Sequence, residues 1–367
     1  MLKSEKYRIH HLDFIRSMAI LMVILVHTTE NIYSFHLSGM QSLTPLSEFF
    51  AFSCFTLGRL GVPFFLFLSG YLLLDQKYTT ITDVLTFWKR KLLPLLFLFE
   101  CWTIIYELFC TFFKDIPFNL TLCIKRMLFL EASPLYHMWY MPMIIGIYLT
   151  LPFVSFVIRQ FPIKVLLIPM TVAFFYCFII PGLNVLSAAL KLPVFTPRLS
   201  LSYTGDYYGL YLVSGFLIKK STEVFRKNFS KNVKTPCIIL FILFTALFLA
   251  TIFFQIWCYK NNYSYNVWYS FPFLFLCAIA AFWLCECLKA SIPHMVLFRE
   301  ISRASLGMYF IHPILLSIFS KYHFFFLNNP GKPFKVTLVF LICAFLSFVL
   351  VEILLRIPLL SKLFCTR

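Results

Sequence analysis

Ten apolar runs follow one another along this chain, each close to the roughly 20 residues that an α-helix needs to cross a bilayer. They lie near 12–35, 56–75, 92–113, 135–158, 163–181, 204–218, 237–258, 268–288, 305–327 and 335–358. Of the 367 residues, 60% are hydrophobic and only 13% charged, too little polar surface to cover a water-soluble domain. The runs are continuous rather than alternating, which argues against a transmembrane β-barrel. The expected fold is therefore all-α, a polytopic membrane helix bundle with about ten transmembrane helices. No linker, low-complexity tract or internal repeat divides the chain, so a single integral domain over 1–367 is expected. The first run continues past His27 with no small-x-small cleavage site, and is expected to stay as a helix.

The formal charge of +17 resembles that of a nucleic-acid binder, but its distribution does not. With the N-terminus placed in the cytoplasm, lysines and arginines gather more than two to one in the cytoplasmic segments. That asymmetry follows the positive-inside rule and predicts both termini inside. The richest segment, KKSTEVFRKNFSKNVK (219–234), has anionic lipid headgroups as its default partner. The bilayer, not nucleic acid, is thus the expected environment. The twelve cysteines show no CxxC pair and no Cys/His spacing suited to zinc, and read as small buried hydrophobes, so no metal is expected.

Chemistry is suggested by ionisable groups set inside these runs, because such groups cost several kcal/mol and persist chiefly along pathways or at reaction centres. The first run, LDFIRSMAILMVILVHTTE, holds Asp13, Arg16, His27 and Glu30. At 100° per residue the four fall within about 100° of one helix face, Arg16 and His27 only about 20° apart and ~16 Å apart along the axis. An interfacial Asp13–Arg16 pair with a structural histidine is the plainer reading. A second constellation is LYHMWYMPMIIGIYLTLPFV (135–154), where His137 and Tyr148, eleven residues apart, are expected to share a helical face. Tyr136, Trp139 and Tyr140 there resemble an interfacial aromatic belt, and Pro142 and Pro152 are expected to bend the span. A third, ISRASLGMYFIHPILL (301–316), lines up Ser305, Tyr309 and His312 ahead of Pro313; a packing role competes with a functional one. Arg59 heads the run RLGVPFFLFLSGYLLL, and Lys89, Arg90 and Lys91 stand together before the third run, suited to phosphate or simply to the inner surface.

Four of these fragments, in this order, resemble the acyltransferase family 3 of integral membrane proteins. They are the D-x-x-R…H pattern of the first helix, VPFFLFLSGYLL, HMWYMPMIIGIYLTLP and SLGMYFIHP. The likeness is greatest to short single-domain members of the enterobacterial common antigen O-acetyltransferase type. The resemblance implies a bacterial inner-membrane enzyme that moves an acyl group, usually acetyl from acetyl-CoA, onto a hydroxyl of an envelope glycan or its lipid-linked precursor. It matches the family's histidine to His27, its early arginine to Arg16 with Asp13 beside it, and the arginine before VPFF to Arg59. The Arg-x-x-Arg pair that many members carry before the third helix is not reproduced, the stretch here reading Trp88-Lys89-Arg90-Lys91. Acyl transfer to an alcohol needs a base, an oxyanion stabiliser and a held donor. The expectation is that His27 acts as base, with Arg16 and Asp13 as catalytic partners. Arg59, Lys89, Arg90 and Lys91 are expected to hold the donor, and Glu30, His137, Trp139, Tyr309 and His312 to meet the acceptor. The competing class is a transporter or flippase for an anionic lipid-linked sugar, which would carry no thioester chemistry.

Overall fold

In a computed structural model, the structure describes residues 9–201, 205–228, 234–292, 295–322 and 331–358, and among them every regular element is helical, with no strand. Residues 229–233 of the basic segment lie outside the described residues, as do the side chains at 225–228. In chain order the helices are α1 (His10–Ile32), α2 (Leu37–Gln41), α3 (Pro45–Arg59), α4 (Gly61–Leu73), α5 (Ile81–Phe87), α6 (Leu93–Lys114), α7 (Leu120–Met127) and α8 (Tyr140–Gln160). There follow α9 (Ile163–Phe174), α10 (Ile180–Ala189), α11 (Asp206–Asn228), α12 (Lys234–Lys260), α13 (Pro272–Cys287), α14 (Val296–Lys321) and α15 (Lys332–Leu355).

Each of the ten expected spans overlaps a helix among the described residues, the end of 305–327 lying outside them. Eight helical segments among the described residues are long and apolar enough to cross a membrane, α3 with α4 forming one 29-residue segment. The other two differ for plain reasons: α13 is shorter at 16 residues, and α11 carries charges through its second half. The outer faces invert the rule for soluble proteins. Ile238, Phe241 and Ile242 on α12 and Phe345 on α15 point outward and exposed, as lipid-facing side chains must. Polar side chains such as Thr56, Gln255, Ser347 and Glu286 are fully buried.

Helix starts obey local chemistry. Thr44 caps α3 by accepting from the Ser47 N–H, with Pro45 in the first turn, where its missing donor costs nothing. Thr80 and Asp83 close a capping box on α5. Two π-helical turns interrupt the long spans, Trp88–Leu92 and Phe175–Ile179. Each precedes a helix whose second residue is proline, Pro94 and Pro181. A widened turn accommodates the ring and the lost donor without ending the helix.

The described coordinates fall into two compact units. The first comprises Met1–Leu72, Pro162–Ser305 and Leu327–Leu341. Its core is aromatic: Phe67, Phe178, Tyr211, Phe275 and Phe282 meet edge-to-face or tilted, with centroids 4.3–5.8 Å apart. A second cluster gathers Tyr33, Phe52, Ile252 and Tyr259. The second unit comprises Leu73–Phe161, Leu306–Phe326 and Ile342–Arg367. There Trp102 stacks on Phe310 at 4.8 Å, and Arg126 from α7 makes an ion pair with the buried Glu107 of α6 while donating to the Ala132 carbonyl at 2.9 Å.

Two expectations are corrected here. His137 belongs to a short 3-10 turn, Tyr136–Trp139, ahead of α8, so the eleven-residue facing with Tyr148 does not hold; Tyr148 packs on Phe87 instead. Pro142 falls in the first turn of α8, where it removes no helical bond, and Pro152 is the internal proline of that span.

Candidate functional site

One polar cluster in the first unit is built on the seam between α1 and α3. Gly58 and Gly61 flank Arg59 and lie hard against α1. A Cβ on Gly58 would stand 2.6 Å from the Val26 backbone nitrogen, and one on Gly61 would stand 2.6 Å from the Ala19 carbonyl oxygen. Small residues at such a crossing let two backbones close to contact. Arg59, next to Gly58, is thereby delivered to the C-terminal half of α1, where His27 and Glu30 sit one turn apart.

Glu30 bridges the other two groups. Arg59 Nη2 donates to its Oε1 at 2.8 Å, and His27 Nδ1 lies 3.0 Å from its Oε2. A carboxylate only accepts, so Nδ1 carries the hydrogen; whenever the ring is neutral, Nε2 is then the nitrogen with the lone pair. His27 and Arg59 are buried, while Glu30 keeps partial exposure. The guanidinium is boxed by aromatic rings, 4.7 Å from the centroid of Phe55, 4.7 Å from Trp268 and 5.5 Å from Tyr269, whose hydroxyl stands 3.5 Å from Nη1. Cation–π contact of this kind holds a desolvated guanidinium flat. A base nitrogen, a carboxylate that sets its tautomer and a fixed cation are what proton abstraction with charge stabilisation requires.

The lower half of α1 is bolted elsewhere. Asp13 Oδ1 accepts from the Ser302 hydroxyl at 2.7 Å, and His11 Nε2 meets Glu286 at 2.8 Å, with Lys289 also paired to Glu286. Arg16 is half-buried on the same helix. The helical rise puts Arg16 ~16 Å and Asp13 ~21 Å from His27 along the axis, so the stripe is two clusters rather than one.

In the second unit a separate centre collects His137, Tyr106, Tyr309 and His312. The Tyr106 hydroxyl donates to the Phe310 carbonyl at 2.7 Å and therefore accepts at 3.1 Å from His137 Nε2. Tyr309 donates to the His137 carbonyl at 2.8 Å, and His312 Nδ1 donates to the Met308 carbonyl at 2.9 Å. The two imidazole rings are 5.6 Å apart. Trp139 and Tyr140 are half-buried nearby, Tyr140 packing on Tyr309. Lys89, Arg90 and Lys91 all stand exposed on the π turn before α6. Among the described residues no three His, Cys, Asp or Glu side chains gather in a way that would hold a metal ion.

Several members of these clusters escaped the sequence reading. Trp268 and Tyr269 sit on the loop between α12 and α13, whose run of aromatics among Asn and Ser was the available signal. Glu286, a lone carboxylate in an apolar run, was another. Among known families, the model of the acyltransferase 3 family, described as an acyltransferase domain, matches residues 9–356. No curated protein and no solved structure matches the chain.

Proposed function

The chain belongs to the acyltransferase 3 family and is a membrane acyltransferase; from this premise we propose that it moves an acetyl group from acetyl-CoA to a hydroxyl of an envelope glycan or lipid-linked saccharide, in a bacterial inner membrane. The observation that carries the chemistry is the Glu30 bridge, which hands His27 a defined tautomer and sets Arg59 beside it. The donor supplies an activated thioester. The exposed cations Lys89, Arg90 and Lys91 suit its phosphates, on a wide turn that presents all three. His27 Nε2 takes the hydroxyl proton as the alcohol oxygen attacks the acyl carbon, and returns it to the departing thiolate. Atoms balance: an ester and a free thiol form from an alcohol and a thioester. Arg59 is the cation placed to stabilise the developing oxyanion. Asp13 and Arg16, far down α1, are proposed to act on the donor side, and His137, Trp139, Tyr309 and His312 on the acceptor.

The proposed orientation has both termini inside with about ten spans, so that the donor enters from the cytoplasm and the acceptor is met toward the outer half. Labelling of inward-facing acceptor alone in sealed vesicles would overturn that arrangement. The enzymatic reading is tested with labelled acetyl-CoA and the full chain in lipid vesicles. His27→Ala is expected to lose roughly 10²–10⁴-fold in transfer with an unchanged melting profile. A transporter or flippase would show no thioester turnover before or after the change.

A further inference from the structure

The loop between α12 and α13, residues 261–271, reads NNYSYNVWYSF and is held with unusual care for a connection. Val267 is buried, its N–H donating to the Gln255 side chain at 2.9 Å. Tyr269 is buried too, its carbonyl accepting from the Tyr211 hydroxyl at 2.9 Å. Trp268, between these pinned neighbours, stays half-exposed. Its indole N–H donates to the Tyr207 hydroxyl at 3.1 Å, which fixes the ring plane. Tyr207 lies 4.3 Å from Tyr208, and Tyr208 lies 6.2 Å from Tyr269; both Tyr207 and Tyr208 are half-exposed. The result is a pre-set aromatic wall with hydroxyl and N–H tips, one end of which rests on the guanidinium of Arg59.

We propose that Tyr207, Tyr208 and Trp268 form the platform on which the acceptor's sugar ring lies while its hydroxyl reaches the His27–Glu30–Arg59 cluster. The inference rests on the transferase reading and assigns its acceptor subsite. A pyranose has an apolar C–H face and a hydroxyl rim, and amphipathic rings meet both. An acyl chain would call for an aliphatic lining without polar tips. Interfacial belt aromatics face lipid one by one, whereas these are bonded to each other and to the buried charge centre.

The test uses the full chain in nanodiscs, titrated with the methyl glycosides of glucose, galactose and N-acetylglucosamine and followed by tryptophan fluorescence. Wild type is expected to give a saturable change with at least one of them. Tyr208→Ala is expected to weaken that binding by roughly tenfold or more, while Tyr208→Phe, which keeps the ring face, stays within about threefold. In the transfer assay Tyr208→Ala should raise the acceptor KM with kcat at saturating acceptor little changed. No saturable response to any of the three sugars overturns the platform, as does a fall in kcat at constant KM, which would mean that the wall only braces Arg59. Absence of thioester turnover in wild type would sink the transferase reading alone, and the sugar titration would still decide the platform.

Discussion

Glu30→Gln is nearly isosteric, yet it breaks the bridge by arithmetic of donors. Two donors, Arg59 Nη2 and His27 Nδ1, converge on the two carboxylate oxygens. An amide offers one oxygen and one NH₂. The charged guanidinium takes the oxygen, since bonds to ions are the stronger ones. The NH₂ then faces His27 and forces Nδ1 to accept, so the ring flips tautomer and Nε2 becomes protonated, useless as a base. A wrong tautomer at a catalytic histidine costs about 10⁴-fold in serine proteases, and a loss of roughly 10³–10⁴-fold in single-turnover acyl transfer is the scale expected here. Stability should fall less. Leaving a buried cation unpaired costs about 3–5 kcal/mol, but Glu30 retains 24% side-chain exposure and the aromatic box still holds Arg59, so about 1–2 kcal/mol is the expected loss. Quenched single-turnover measurements with labelled acetyl-CoA, beside thermal unfolding in the same lipid, separate the two effects. Transfer by Glu30→Gln within about fivefold of wild type would refute the tautomer argument.

Gly61→Val places a Cβ against the Ala19 carbonyl, a backbone atom that cannot rotate aside; overpacking of about 1–3 kcal/mol or more should appear as a lowered melting temperature and as lost transfer, because Arg59 moves with the seam. For the ion pair of the second unit, whose Glu107 is buried and Arg126 half-buried, Arg126→Met alone should destabilise by about 3 kcal/mol at most, and adding Glu107→Leu should recover part of it, as read in thermal unfolding of the single and double variants.

The spans were legible because the signal is local: a run of about 20 apolar residues needs no partner to be recognised. The His27–Glu30 contact lies one turn along a single helix, although the sequence reading gave Glu30 to the acceptor instead. Arg59 was picked out by its place in a motif, but its contact with Glu30 depends on two glycines pressing against α1, a tertiary fact. Trp268 and Tyr269 lie more than 200 residues from Arg59 and carry no periodic pattern, so nothing short of the fold joins them to it. Rotation around α1 grouped Asp13 with His27, while the rise along it separates them, and Ser302 claims Asp13. His137 was misread in register because a 3-10 turn advances by a different angle from an α-helix.

The carboxylate shared between an imidazole and a guanidinium has one more consequence, for the sum of charges. With the ring neutral, as a base must be, the trio pairs one negative and one positive unit and adds up to zero. When the ring gains a proton, an anion is born on the substrate in the same step, and the total is still zero. A reaction centre in hydrocarbon that never holds a net charge avoids most of the solvation cost that bars lone ions from membranes. On the proposed reading, acyl transfer at this trio then needs no water to screen a net charge.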